Sequence, residues 1–437
     1  MGGRDTWSAT ARLMRRAGFG ATGSEVDSVA GTGRSRWLAD ALAADPATDP
    51  GSLSTPPPLL EPVPALTPDP TRSERRARNG VLREQRDSLA SWWVRRMVAT
   101  GTPVTERVTF AWHHLFATDA RVVRDARMML AQNETHRRLG CSTYTGLLTA
   151  MVTDSALLTY LNGSATAAGR RNENLARELL EVFCLGRQAS WTELDVQETA
   201  RALSGWVVDP DGTTGFTPAW HDSGVKTVLG RTGPLDTHDL LATVLAHPAA
   251  APHLVGRWWT VLVSSTSTAP AGVQRRVAAA YGPGHDLSAM LTSLLTDPEV
   301  EALPASLVRP PVDWLVGAAR SLHLSLDDDG ARTAVAALRA LGQEPFSPPN
   351  VGGWPAGRAW LSTGAAETRL TTAGWLAGLA ELDGLEATSP SGRVDAVAHL
   401  LGLPGFSDRT VVGLRTLVRD PAALVAAALV CPENMVV

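Results

Sequence analysis

Asn172-Glu173-Asn174-Leu175-Ala176-Arg177-Glu178-Leu179-Leu180-Glu181-Val182-Phe183-Cys184-Leu185-Gly186 is the stretch on which the reading of the fold turns. It reads as one helix over 172–186. Asn174, Glu178 and Glu181 are spaced i, i+4, i+7 and fall on a single stripe. Glu173 and Arg177, four apart, sit beside it and can pair. Leu180 and Cys184 flank this polar arc, and Leu185 extends the stripe itself. A helix that is apolar nearly all round is a buried one. Buried carboxylates then need a cation, a metal or hydrogen-bond donors. Two readings follow: an internal ion network with Arg177 and Arg201, or a functional site.

Helical patterning continues on both sides. Residues 6–17 and 24–44 read as helices, the second with Ser24 and Asp27 as a capping-box-like start. Residues 45–71, rich in Pro, Thr and Asp, read as a loop or linker. A long helix covers 73–99 with Leu82, Leu89, Trp92, Trp93 and Met97 as core candidates. The next begins near Thr105 and carries Val108, Ala111, Trp112, Leu115 and Phe116. Further helices are predicted over 120–138, 142–161 and 193–205, the last capped by Thr192 with Asp195. Gly, Asp-Gly and Pro between 205 and 230 mark a hairpin or ordered loop. Helices resume over 236–343. Pro345 to Gly357, with four prolines and three glycines, is a stiff loop, and 365–431 is helical again. The fold class is mainly α: one large helical domain with a small irregular or β insert near 207–230. Its parts are N-terminal helices (1–44), a Pro-rich linker (45–71), a main domain (72–364) and a C-terminal helical segment (365–437).

The bulk numbers fit a globular protein. The 437 residues are 44% hydrophobic and 19% charged, enough for a large core. A net charge of −4 gives no basic field for nucleic acid. The three cysteines, Cys141, Cys184 and Cys431, have no metal-type spacing, and Cys184 reads as a buried inert thiol. Met1 to Thr22 lacks the apolar run of a signal peptide, and no run of about 18 apolar residues would span a membrane. The default compartment is therefore the cytoplasm. One bias stands out: the 40 basic residues include a single lysine, Lys226. An ammonium is a compact charge whose pKa burial lowers, so arginine substitutes for it poorly at a tight or titrating site.

Blocks along nearly the whole chain carry a family resemblance. They are Leu13-Met14-Arg15-Arg16-Ala17-Gly18-Phe19-Gly20-Ala21-Thr22; Glu106 to Thr118, with Trp112-His113-His114-Leu115-Phe116 inside it; the 172–186 stretch; Thr192 to Val196; and Ala200 to Trp206. His221-Asp222-x-Gly224-x-Lys226-Thr227 and Pro348-Pro349-Asn350-Val351-Gly352-Gly353-Trp354-Pro355 complete the set. The chain resembles the bacterial family known as domain of unknown function 1800. That resemblance implies a mostly helical fold and a sulfatase-like protein encoded nearby as a possible partner. Many relatives look exported, and a signal-bearing partner could carry this chain out in a folded complex. The family block usually reads Trp-His-x-His-Phe. Here the second histidine position is Leu115, and His114 stands in the middle, which puts a histidine-pair metal site in doubt.

Three groups of residues could carry chemistry. His113 lies mid-helix between Trp112 and Phe116, either as a satisfied core residue or as a ligand or base; Glu106 and Thr109 share its face and could orient the imidazole. In the 220–227 segment, His221 could act as base or ligand and Lys226 as a clamp on an anion, with Asp222 beside them. The bland alternative is a turn whose Asp222 side chain bonds its own backbone. Glu178 and Glu181 complete the set. His113, Glu178, Glu181 and His221 could hold one Fe, Mn or Zn through mixed nitrogen and oxygen donors. Without metal, His221, Asp222, Lys226 and Glu178 could act as acids and bases. The chain thus reads as an enzyme on an unknown small-molecule or peptide substrate, or as a non-enzymatic assembly partner. Serine-hydrolase, phosphate-loop, dinucleotide and His-Glu-x-x-His signatures are absent.

Overall fold

The protein is described here from a computed structural model covering residues 2–63, 66–161 and 173–437. Helix makes up 62% of the chain and strand 4%, so it is mainly α with a small strand insert. No helix among the described residues is long and apolar enough to cross a membrane.

Most helices form where their caps and periodicity predict. Thr192 and Asp195 make a reciprocal capping box on the Glu193–Ala202 helix. A second box, Thr71 with Glu74, opens the long Arg72–Ala99 helix. Three predicted helices are divided by local chemistry. The 24–44 stretch is two helices, Gly23–Thr32 and Arg34–Leu42, broken at Gly33 (φ 101°), and its capping box is Thr22 with Glu25 rather than Ser24 with Asp27. The 120–138 stretch breaks at Arg124, in left-handed backbone, into Ala120–Val123 and Ala126–Leu139. The 142–161 stretch breaks at Asp154, whose carboxylate caps Ser155–Tyr160.

The largest departure is in the 172–186 stretch. Asn172 lies outside the described residues. Glu173–Glu178 is an α-helix, but Leu179–Cys184 is a π-helix. Its wider turn closes i to i−5 bonds, as from the Leu185 N–H to the Leu180 carbonyl at 2.8 Å. The i, i+4, i+7 stripe therefore does not continue through it. Asn174 is exposed and Glu178 and Glu181 are half-buried, so the helix is not buried all round. The insert consists of two antiparallel hairpins, Trp206–Val208 with Thr214–Phe216 and Lys226–Val228 with Arg231–Gly233.

Two hydrophobic cores share one helix. Pro103–Leu115 gives Val108, Ala111 and Trp112 to a core with Leu147, Leu180 and Trp258, and gives Phe110 to a core with Trp93, Trp314 and Leu424. It buries every residue from Val104 to His113. A buried helix must satisfy its polar side chains internally. Glu106 does so through Arg96 Nε at 2.6 Å, Arg137 Nε at 2.6 Å and Nη2 at 3.1 Å, and Trp93 Nε1 at 3.1 Å. Burial pushes its carboxyl up, but the two guanidiniums outweigh burial and bring it down to about 2. Both guanidiniums also lie over the Trp92 ring.

The same network draws in the segment predicted as a linker. Arg96 Nη1 donates to Ser52 Oγ at 2.7 Å, within a short Pro50–Ser54 helix. Buried Asp49 accepts from the Thr100 hydroxyl and the Gly101 N–H. Gly51 is needed for this approach, since a Cβ there would lie 2.3 Å from the Ala99 carbonyl.

Glu106→Gln removes the shared countercharge of two buried guanidiniums, leaving Arg96 unpaired and Arg137 with the half-exposed Glu134 alone. It should destabilise the fold by roughly 3–5 kcal/mol, read as a lower urea midpoint at unchanged slope. A loss below about 1 kcal/mol would mean the pair behaves as a surface bridge.

Candidate functional site

Two adjacent histidines on the Pro103–Leu115 helix hold the proline- and glycine-rich loop predicted over 345–357. His113 Nε2 accepts the Phe346 N–H at 3.1 Å. His114 Nδ1 accepts the Trp354 N–H at 3.0 Å. Phe346 has φ 62°, a strained setting for a bulky side chain. Its carbonyl accepts from Ala120 N–H at 2.9 Å, and its ring packs on Trp93 and His113. Phe346 is thus held through both its N–H and its carbonyl. Gly353, at φ 88°, has no room for a Cβ, which would fall 2.3 Å from His114 Nδ1. His113 is therefore oriented by the loop and not by its helix neighbours. Glu106 serves the arginines, and the Thr109 hydroxyl donates to the Thr105 carbonyl.

Under this loop lies a cavity of about 40 Å³, walled by Phe110, His114, Trp354 and Trp360. Its polar wall is an ion pair, Arg107 Nη2 to Asp313 Oδ2 at 2.8 Å, almost wholly buried. Four lining residues each carry a buried polar atom with no hydrogen-bond partner: Asp313 Oδ1, Arg107 Nε, Trp354 Nε1 and Trp360 Nε1. Burial raises the Asp313 carboxyl, against the pull of Arg107 and Arg309. Leaving such atoms bare costs about 1–3 kcal/mol each, so the residues around this space carry hydrogen-bonding capacity that no protein group takes up. The volume suits roughly two or three waters or a group of a few heavy atoms.

The residues singled out from sequence go to separate places. Asp222 forms a bidentate pair with Arg201, which brings its carboxyl down to about 2, and caps its own turn through the Gly224 N–H. His221 Nδ1 lies 2.9 Å from the Ser204 carbonyl, to which only the Nδ1–H tautomer can donate. Lys226 is 1% exposed and donates to the Gly224 carbonyl at 3.1 Å. Burial lowers its pKa, while Asp222, Glu198 and Asp236 act against that. This segment is stitched to the end of the Glu193–Ala202 helix. Glu181 pairs with Arg187, and Arg177 pairs with Glu193 rather than Glu173. Glu178 has one oxygen without a partner, and burial and then Glu181 raise its pKa.

His113, Glu178, Glu181 and His221 do not supply three ligand atoms within 4.8 Å of one another. Among the described residues only Asp236, His238 and Asp239 do so. That trio is committed elsewhere: Asp236 caps the Thr237–Leu245 helix and Asp239 pairs with Arg231. Leu115, at the family's second histidine position, is a core residue. Arg107, Asp313 and Trp360 were not singled out from sequence. Arg107 lies inside a quoted block beside Glu106, but Asp313 has no local signal beyond an acidic residue in a first helical turn.

The fold and the site define a mainly helical protein whose histidines clamp a loop over a buried ion pair. The chain belongs to the family described as "Protein of unknown function (DUF1800)", whose model matches residues 12–436. No curated protein and no solved structure matches it.

Both histidines accept hydrogen bonds and must be neutral. Burial holds each down to about 3, aided at His114 by Arg257 and Arg107. A free imidazole takes its proton near 6.5. Their contribution is thus complete above about 6.5 and is lost as pH falls through the window toward 3. For His113 the loss should approach about 1.4 kcal/mol per pH unit. Denaturant midpoints measured from pH 7 to 5 should fall. The double variant His113→Gln, His114→Asn keeps acceptors that do not titrate, and its slope should be flatter.

Proposed function

We propose that the working site is the cavity beneath the Pro345–Gly357 loop, and that the protein is an enzyme acting there on a small uncharged polar group. The observation that carries this reading is the set of four partnerless buried polar atoms around one space. Three are donors and one, Asp313 Oδ1, belongs to a carboxyl, so the complementary ligand offers acceptors and one exchangeable proton. Phe110, Trp354 and Trp360 supply apolar walls. Asp313 is held by Arg107 through one oxygen and has the other free, and burial raises its pKa. This is the setting of a general acid or base. No metal enters this reading, because the four residues proposed as ligands from sequence do not gather.

A second reading, an assembly partner for a sulfatase-like protein, draws on a different observation. Glu106, His113, His114, Asp222 and Lys226 all have internal partners, as a scaffold requires. In that reading the chain stays in the cytoplasm or leaves it folded, on a partner that bears the export signal.

The test is incubation of purified protein with a metabolite extract, followed by mass spectrometry of retained and altered compounds. Asp313→Asn should still retain the ligand but convert it about 10²–10⁴-fold more slowly, with a lowered melting point because Arg107 loses its buried countercharge. Arg107→Met should not retain it. Absence of any retained or altered compound, with stoichiometric capture of a co-expressed sulfatase-like neighbour, would favour the scaffold.

A further inference from the structure

A second concave surface lies where the π-helix ends. The Leu179–Cys184 turn leaves carbonyls outside the helical ladder, and side chains from elsewhere take them. The Phe183 carbonyl accepts from Tyr144 Oη at 2.7 Å. The Val182 carbonyl accepts from His253 Nε2 at 2.8 Å and Arg257 Nη1 at 2.6 Å. Both donors stand on the Ala250–Leu262 helix. Arg257 Nη2 also reaches toward the Leu115 carbonyl at 3.5 Å, so this guanidinium joins the ends of two helices.

Those two contacts use two of five N–H groups. No carboxylate among the described residues lies within ion-pair distance of Arg257, although burial is strong enough to lower its pKa. Carbonyl dipoles offset a cation only in part. Arg257 forms a wall of an open groove of about 750 Å³, with Val182, Leu185, Pro252, His253 and Gly256 around it. The one acidic lining residue, Glu181, is paired with Arg187. The groove therefore holds an uncompensated cation beside apolar walls, at a size that suits an organic ligand.

We propose that this groove binds an organic oxyanion, its carboxylate or phosphate on Arg257 and its apolar body along Val182, Leu185 and Pro252. A guanidinium presents paired N–H groups that match either oxyanion. His253, already fixed on the Val182 carbonyl, holds that wall in place. This site is separate from the loop-covered cavity and does not depend on it. The cavity meets the last turn of the Ala250–Leu262 helix at Thr260 and Val261, whereas the groove meets its middle.

Gly256 allows a test that spares the fold. A Cβ there meets nothing within 4 Å, and the residue lines the groove. Gly256→Leu should thus fill the space without disturbing Arg257. Titration calorimetry on the full chain at low salt would use hexanoate, phenyl phosphate, inorganic phosphate and hexanamide as probes. Hexanoate or phenyl phosphate should bind with a dissociation constant below roughly 1 mM. Hexanamide should not bind, and Gly256→Leu should weaken the oxyanion at least about tenfold. Binding of hexanoate alone assigns a carboxylate, and preference for phenyl phosphate over inorganic phosphate assigns a phosphate monoester. Arg257→Lys, which keeps the charge but not the paired donors, should bind more weakly. Equal binding of hexanoate and hexanamide, oxyanion affinity unchanged in Gly256→Leu, or no binding by any probe would overturn the proposal.

Discussion

One buried carboxylate sets the terms for the middle of this protein. Glu106 sits on a helix with cores on both sides, where an unpaired charge would be untenable. It is tolerated because Arg96 and Arg137 reach it from two other helices and Trp93 closes the remaining side. Each partner then fixes something else. Arg96 brings in Ser52, Arg137 holds Asn133, and the Trp93 ring supports Phe346. The helix is thereby fixed in rotation, and His113 and His114 are aimed at the loop that roofs the cavity. An ionic contact of this kind adds little net stability against an apolar substitute, but it specifies one arrangement.

What the sequence reveals is what neighbouring residues decide. Thr192 and Asp195 are three apart and cap a helix as read. The Gly- and Asp-rich stretch after 205 does form hairpins. The π-turn at 179–184 was not legible, because the widening is stabilised by Tyr144, His253 and Arg257, all remote in the chain. The ligand set read from sequence does not gather, for the same reason. His113 is a buried core residue whose hydrogen-bond partner is a backbone N–H 233 residues away. Glu178 belongs to a helical stripe and His221 and Lys226 to one short segment, and spacing along the chain does not say whether the two groups meet. Folding gives Asp222 and Lys226 local tasks at one helix end and leaves Glu178 elsewhere.

The cavity and the groove are built by shared parts. The Ala250–Leu262 helix lines both, and Arg257 lies close enough to His114 to help keep that imidazole neutral. His114 in turn fixes Trp354 over the cavity. The family's blocks from 106–118 and 348–355 converge on this region, and Glu181, Val182, Leu185 and Gly186 form one side of the groove. Architectural demand and the two candidate binding surfaces fall on the same residues.

The solitary lysine has a practical meaning. Its ammonium is sealed between the hairpin and the Glu193–Ala202 helix, with its proton directed at a backbone carbonyl. The surface of the folded protein consequently offers acylating reagents no lysine amine among the described residues. Amine-directed crosslinkers and ester dyes will find no lysine side chain there. A lysine introduced on that surface becomes the one accessible lysine side chain among the described residues, and reaction at Lys226 itself becomes a report that the insert has opened.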